Sequence, residues 1–480
     1  MSHTRLPALF KSAPRLPLLA FGAGAALLGY TAVMRYLQHY ALLRQDLHDF
    51  WPPLVVLALF LFAWGGLNLG FKTVAWLPNA NRFILPCAVF LILFTAYHHL
   101  GCWLGWVVTL DQTYWDQLAL SFLHGHLYLE NPTYFHDLTP YQGHWYVPNP
   151  PLPGLLMVPY TLLVGAERVN TVRFSMVLAA LCGLLVFLIL GQAARLQWLK
   201  LERSGQLWLT ALFAFGTPLL YIGLTGQMWF ISQTLTLLFV ALAVYIALKA
   251  GPGWLAGLCL GAAVMARPNV AVMWPFLIAI IGAQLLQKSG KLPFKTALAW
   301  AVSSALPVFA AVFALLWYNY ARFGSWTDFG YTTINGAEQI VYDAKTYGIF
   351  NLHFIPRNLW TMFLLPPGLK EAFPFFQPSR DGMSLLLTTP ALIYLARRQP
   401  LNLWKAGALV SIGLSFALLV LYHNTGAFQF GYRYLLDFAI PLWLLLAAGL
   451  GAKLPRFFRA FVLLSIAINL LGTIWFAFNW

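Results

Sequence analysis

Charge is what this sequence lacks. Only 9% of its 480 residues are Asp, Glu, Lys or Arg while 60% are hydrophobic, which leaves too little polar surface to clothe a water-soluble fold. Carboxylates are the scarcer sign, 14 against 29 Lys and Arg. Cysteine is nearly absent. Cys87, Cys102, Cys182 and Cys259 stand apart in apolar stretches, so they form neither a disulfide framework nor a zinc motif and read as small buried side chains. There is no Walker motif, no GxGxxG after a strand and no HExxH, which removes the common nucleotide cradles and the zincin site. No small-residue cleavage site follows the first apolar run, so that run reads as a retained helix rather than a signal peptide. In a soluble chain the net charge of +15 would suggest nucleic acid. Here anionic lipid and the insertion rule account for it, and no nucleic-acid partner is expected.

What remains is a series of apolar runs. About thirteen transmembrane helices are predicted, near 16–34, 50–70, 83–108, 171–193, 207–223, 230–248, 254–266, 270–287, 296–318, 383–396, 404–422, 435–452 and 459–477. Spans 254–266 and 383–396 are short for a crossing. With the N-terminus inside, eighteen of the Lys and Arg fall on the inner side, but only one acid, Glu202, does. The Lys/Arg excess on the short inner loops is the positive-inside signature, and the remaining acids gather on the outer loops, where chemistry or binding is expected. The stretch 151–166 opens with NPPLPG and is read as a helix lying at the outer surface, because making it a span would push the Arg195 cluster outside.

Two long outer connections, 109–170 and 319–382, are dense in Tyr, Trp, Phe, Pro and His, and loops of that length usually carry function. In the first, DQLALSFLHG has apolar residues at helical spacing and then a glycine, so Asp116 opens an amphipathic interfacial helix and Asp111 sits at the end of the preceding span. In the second, Ile355 to Leu365 reads as another surface helix. Arg267, Arg433 and Arg322 stand at or near the outer ends of helices, where a guanidinium is costly without a partner or a function and its planar fork suits phosphate oxygens. Snorkelling toward headgroups is the alternative for each. Asp437, one helical turn after Arg433, is expected to pair with it. His124, His126 and His144, with Tyr114, Trp115, Trp145 and Tyr146, are candidates to line a polar cleft and stack on a sugar ring. Their spacing does not form a metal set, and a divalent metal stays open without being required.

The order of TLDQTYWDQLALSFLHGHLYLENP, NPPLPGLLMVPY, MARPNV, YNYARFGSWTDFGY and GYRYLLDFAIP resembles the GT-C superfamily of membrane glycosyltransferases, which includes protein O-mannosyltransferases and the enzymes that add aminoarabinose to lipid A. The resemblance covers nearly the whole chain from residue 83. It implies an all-α polytopic membrane protein: two additional helices in 1–82, a core in 83–318 with its catalytic loop at 109–170, a second outer loop at 319–382, and C-terminal helices in 383–480. It further implies transfer of a sugar, with inversion, from a polyprenyl-phosphate carrier to a lipid, glycan or protein hydroxyl on the outer face, and the compact chain without targeting extensions suggests that the membrane is a bacterial inner membrane. Asp111 matches the family acid and is the expected general base. Asp116 is the second catalytic candidate. Gln112 departs from the pattern, since many relatives carry an acid there that serves metal binding or acid assistance. The carrier's tail needs an apolar groove, expected along 435–452 and LWTMFLLPPG. A transporter or flippase of a lipid-linked sugar is the alternative, suggested by broken helices near Pro218 and Pro268.

Overall fold

The computed structural model describes residues 15–39, 51–70, 77–106, 113–371 and 375–479. Most of them are helical, and among them sheet is limited to two separate short hairpins. Among the described residues, eight helices are long and apolar enough to cross a membrane, or nine if one bent pair counts as a single span. The chain forms two compact units, Met1–Gly105 and Trp106–Trp480.

The first unit holds α1 (Arg15–His39), α2 (Trp51–Gly70) and α3 (Leu77–Trp103). The third helix therefore groups with the first two, whereas the sequence reading assigns it to the core. α1 and α2 touch through glycine. A Cβ on Gly24 would lie 2.5 Å from the Phe62 nitrogen, and one on Gly65 would lie 2.5 Å from the Phe21 nitrogen, so each glycine admits the other helix's backbone. The rings of Phe21 and Phe62 stack over this crossing at 4.3 Å. α3 joins the pair through Thr95, whose hydroxyl donates to the Pro53 carbonyl at 3.3 Å. Cys87 is exposed on α3, not buried as its apolar surroundings suggested.

The second unit begins with the first long loop: α4 (Trp115–Leu123), a hairpin of β1 (Thr139–Tyr141) and β2 (His144–Tyr146), then α5 (Leu152–Val164). α4 is the amphipathic helix expected from DQLALSFLHG, ended where Gly125 takes φ 81°. α5 packs against it with Gly154 facing Leu118 and Phe122. Then follow α6 (Thr171–Arg195), α7 (Arg203–Phe215), α8 (Leu219–Thr225), α9 (Met228–Leu248), α10 (Gly253–Val264), α11 (Trp274–Ser289) and α12 (Phe294–Phe323). The second long loop contains α13 (Glu338–Tyr347), α14 (Ile355–Leu359) and a small hairpin of β3 (Gly368–Leu369) and β4 (Phe376–Gln377). The chain closes with α15 (Leu385–Thr388), α16 (Leu403–Leu421), α17 (Ala439–Ala448) and α18 (Arg456–Asn479).

Several expected spans are broken rather than continuous. The run 207–223 bends by 54° between α7 and α8, where Gly216 and Pro218 interrupt it. The run 383–396 is the four-residue α15 followed by a 3₁₀ turn at Pro390–Ala396, because Pro390 cannot continue the helix. The run 435–452 starts as a 3₁₀ turn, Arg433–Phe438, and becomes α-helical only at Ala439. By contrast α12 runs five residues beyond its expected end, so Arg322 lies inside its last turn. Close packing again rests on glycine. A Cβ on Gly257 of α10 would stand 2.1 Å from the Ser304 carbonyl oxygen of α12, and Gly253 and Gly261, one turn on either side, face the same helix.

The two long loops dock on each other. The Asp137 amide donates to the Asn335 carbonyl at 2.7 Å, and the Asn335 amide to Leu138 at 2.8 Å. The Thr139 hydroxyl reaches Gly330 O at 2.9 Å. These bonds place residues 113–150 and 329–350 over the same helix ends, and a cavity lies beneath them.

Candidate functional site

The cavity measures about 900 Å³ and is lined by both long loops together with the ends of α9, α10, α16 and α18. Its walls differ in chemistry. Asp137, His136, Tyr114 and Trp229 stand on one, Arg267, Asn269, Arg433 and Tyr434 on another, and Ile340, Ile349, Phe350, Leu418 and Leu419 supply apolar surface.

The carboxylate wall is built by the first loop. Asp137 adopts φ 61°, a left-handed conformation that Asp tolerates better than most residues. Its Oδ2 accepts from the Trp229 indole at 2.7 Å, and His136 Nε2 lies 3.8 Å from Oδ1. The Tyr114 hydroxyl, donating to the His136 carbonyl at 2.6 Å, pins the same turn to the start of α4. Burial first, and then the nearby Asp137 charge, push that hydroxyl well above the usual phenol range, so it stays a neutral donor.

In the guanidinium wall Arg433 and Tyr434 are buried and Arg267 and Asn269 half-buried. Arg267 Nη2 donates to Asp437 Oδ2 at 2.9 Å, Asn269 to the same oxygen at 2.8 Å, and Gln233 Nε2 to Asp437 Oδ1 at 3.1 Å. The expected pair between Arg433 and Asp437 does not form. Residues 433–438 are a 3₁₀ turn, in which i and i+4 no longer share a face, and Arg433 turns instead to Gly426 O at 2.9 Å and Gln233 Oε1 at 3.1 Å. Tyr434 lies under both cations, its ring centroid 4.9 Å from the Arg267 guanidinium carbon and 4.7 Å from that of Arg433. Burial raises Tyr331, on the same lining, to about 12, with Arg267 and Arg322 pulling the other way. A third cation, Arg380, is exposed at the cavity lining and lies over the Phe428 ring at 5.3 Å.

The expected site residues divide. Arg267, Arg433 and Tyr114 line the cavity, and Asp111 lies outside the described residues. Asp116 does not line it. Its Oδ1 accepts from the Thr113 hydroxyl at 2.9 Å at the start of α4; burial raises its carboxyl, and that bond with nearby backbone amides partly offsets the rise. Trp115 is fully buried and donates to Met228 O at 3.0 Å, a bond that fixes the start of α9 beside Trp229. Arg322 does not line the cavity. It donates to Val147 O at 2.6 Å and to Asn319 Oδ1 at 2.9 Å and lies over Tyr318, clamping the first loop onto α12. His124 and His126 flank Glu130 on the surface at 2.9 and 3.6 Å. His144 stacks on Tyr128 at 3.9 Å, Trp145 packs on Phe135 at 4.7 Å, and Tyr146 is buried against Phe323 at 5.3 Å. They build the hairpin rather than the cavity lining. Among the described residues, no three His, Cys, Asp or Glu side chains converge as a metal site.

The sequence reading missed Asp137, Trp229, Asn269, Gln233 and Arg380. Asn269, two residues after Arg267 in MARPN, was the most accessible to it; Asp137, Trp229 and Arg380 reach the lining only through the tertiary fold, and Gln233 is buried off the lining, bonded to Arg433. No family model matches the chain, and neither a curated protein nor a solved structure is significantly similar to it.

Proposed function

We propose that this protein is a multi-pass membrane glycosyltransferase of the GT-C type, acting at the outer face of a bacterial inner membrane on a sugar carried by a polyprenyl phosphate. The observation that carries the reading is the cavity itself, whose lining combines two guanidiniums beside a buried carboxylate, the Asp137 loop and an apolar flank. The guanidiniums suit a phosphate, the apolar flank the first units of a lipid tail, and the carboxylate loop the acceptor. Every segment lining the cavity also belongs to the side that the Lys/Arg pattern assigns to the exterior.

In this mechanism the acceptor hydroxyl attacks the anomeric carbon from the face opposite the phosphate. The new C–O bond forms as the bond from that carbon to the phosphate oxygen breaks, and the electron pair leaves with the phosphate. A carboxylate takes the hydroxyl proton, and Arg433 and Arg267 steady the negative charge that returns to the phosphate. Asp111 is the proposed base, three residues before Tyr114 on the cavity lining. Asp137 is the carboxylate that lines the cavity among the described residues, and it is proposed to bind acceptor or sugar hydroxyls.

Incubating the purified protein with radiolabelled polyprenyl-phosphate sugars and a membrane-lipid extract tests this. Label should move to an acceptor, and Asp111→Asn should lower transfer by about 10²–10⁴-fold, the usual contribution of a well-placed base. Movement of the donor across vesicles without any transferred label would replace the proposal with the transporter reading.

A further inference from the structure

Arg433 is 3% exposed, yet no carboxylate lies within ion-pair distance of it among the described residues. The one buried acid beside it, Asp437, is engaged by Arg267. A buried guanidinium held only by neutral oxygens is electrostatically expensive, and a carboxylate in place of one of those oxygens would relieve the cost. The residue that supplies the neutral oxygen is Gln233, fully buried on α9. Its amide orientation is fixed by its partners. Nε2 donates to the Arg433 carbonyl at 2.8 Å and to Asp437 at 3.1 Å, while Oε1 accepts from Arg433 Nη1 at 3.1 Å. Reversing the amide would set oxygen against two acceptors and NH₂ against a guanidinium.

We infer that Gln233 is a positioning residue that holds Arg433 through a neutral oxygen, so that its charge remains available to the phosphate monoester or diester of an apolar alcohol in the cavity. The cluster contains two guanidiniums and one carboxylate, so one positive charge is left for the ligand. The inference rests on the reading of this cavity as a lipid-phosphate site and adds the residue that keeps it cationic.

Dodecyl phosphate titrated into the full-length protein in a neutral detergent, with dodecyl maltoside as the uncharged control, provides the test. The midpoint of thermal unfolding should rise with dodecyl phosphate and not with the control. Gln233→Glu, nearly the same size, brings a carboxylate to Arg433 but also sets oxygen against the Arg433 carbonyl and Asp437, so the ligand-free midpoint should fall and apparent dodecyl phosphate affinity should weaken at least tenfold. Gln233→Met leaves Arg433 charged and held through Gly426 alone; its affinity should fall about threefold with a lower ligand-free midpoint. Wild-type affinity in Gln233→Glu would overturn the inference and leave the lipid-phosphate reading standing. If Gln233→Glu does not fold, wild-type affinity in Gln233→Met overturns it equally. No response in the wild-type protein would overturn both.

Discussion

Replacing Asp437 by Asn removes a single charge at nearly constant volume, and the surrounding bonds set the cost. The Asp437 side chain is 1% exposed and that of Arg267 is 15%, so neither charge is well screened. Asp437 accepts from three donors, Arg267 and Asn269 on one oxygen and Gln233 on the other. An Asn can keep its oxygen toward Arg267, but its NH₂ then meets the Gln233 NH₂. Gln233 cannot reverse without losing Arg433. The variant therefore carries both an unneutralised guanidinium and a donor–donor clash. Breaking a buried pair from one side costs about 3–5 kcal/mol, and the partial exposure of Arg267 argues for the low end, about 3 kcal/mol. For a chain this large that corresponds to a fall of roughly 3–6 °C in apparent Tm. Thermal unfolding of the detergent-purified variant measures it, and a double variant, Arg267→Met with Asp437→Leu, should recover much of the loss. A fall below 1 °C in Asp437→Asn would refute the assignment of Asp437 as the neutralising partner of Arg267.

Arg433→Lys should weaken donor binding and turnover, because a point charge cannot reproduce the fork that meets Gly426 and Gln233, whereas Arg322→Met, which leaves the Val147 and Asn319 oxygens without their donor, should lower stability by about 1–3 kcal/mol and leave donor affinity unchanged in saturation curves. Gly257→Ala should cost about 2 kcal/mol or more, since the added carbon meets backbone on α12; Gly413→Ala on α16, with nothing within 4 Å, should be neutral or stabilising in the same unfolding assay. Burial, aided by Arg357, lowers His423 from about 6.5 to about 4, so the unfolded chain binds its proton first as pH falls. Stability should therefore drop between pH 6.5 and 4, by at most about 3 kcal/mol from this group, and His423→Gln should remove that part of the slope in pH-dependent unfolding.

Composition and hydrophobic run length by themselves determine that this chain is built of apolar helices, because continuous apolar runs of about 20 residues satisfy their backbone in hydrocarbon as helices, whereas a barrel strand needs only about 9–11. The same local signals located α4, where an amphipathic period ends in glycine, and the helical segment from Ile355. Arg267 and Arg433 were legible as candidates because a cation near a helix end in an apolar chain is costly wherever the rest of the fold goes. Tertiary structure decided what those cations do. Local spacing suggested Arg433 with Asp437, but a 3₁₀ turn rotated them apart and a residue 170 positions away took the acid. Arg322 has the same sequence context as a site arginine, yet the path of the first loop made it a clamp. Asp137 has no distinguishing neighbour in sequence, and it reaches the cavity because its backbone amide is held by Asn335 in the other loop and its carboxylate by Trp229. Hydrogen bonds between segments about 100–200 residues apart carry no periodic signal, so only the folded chain reveals which carboxylates and guanidiniums share a cavity.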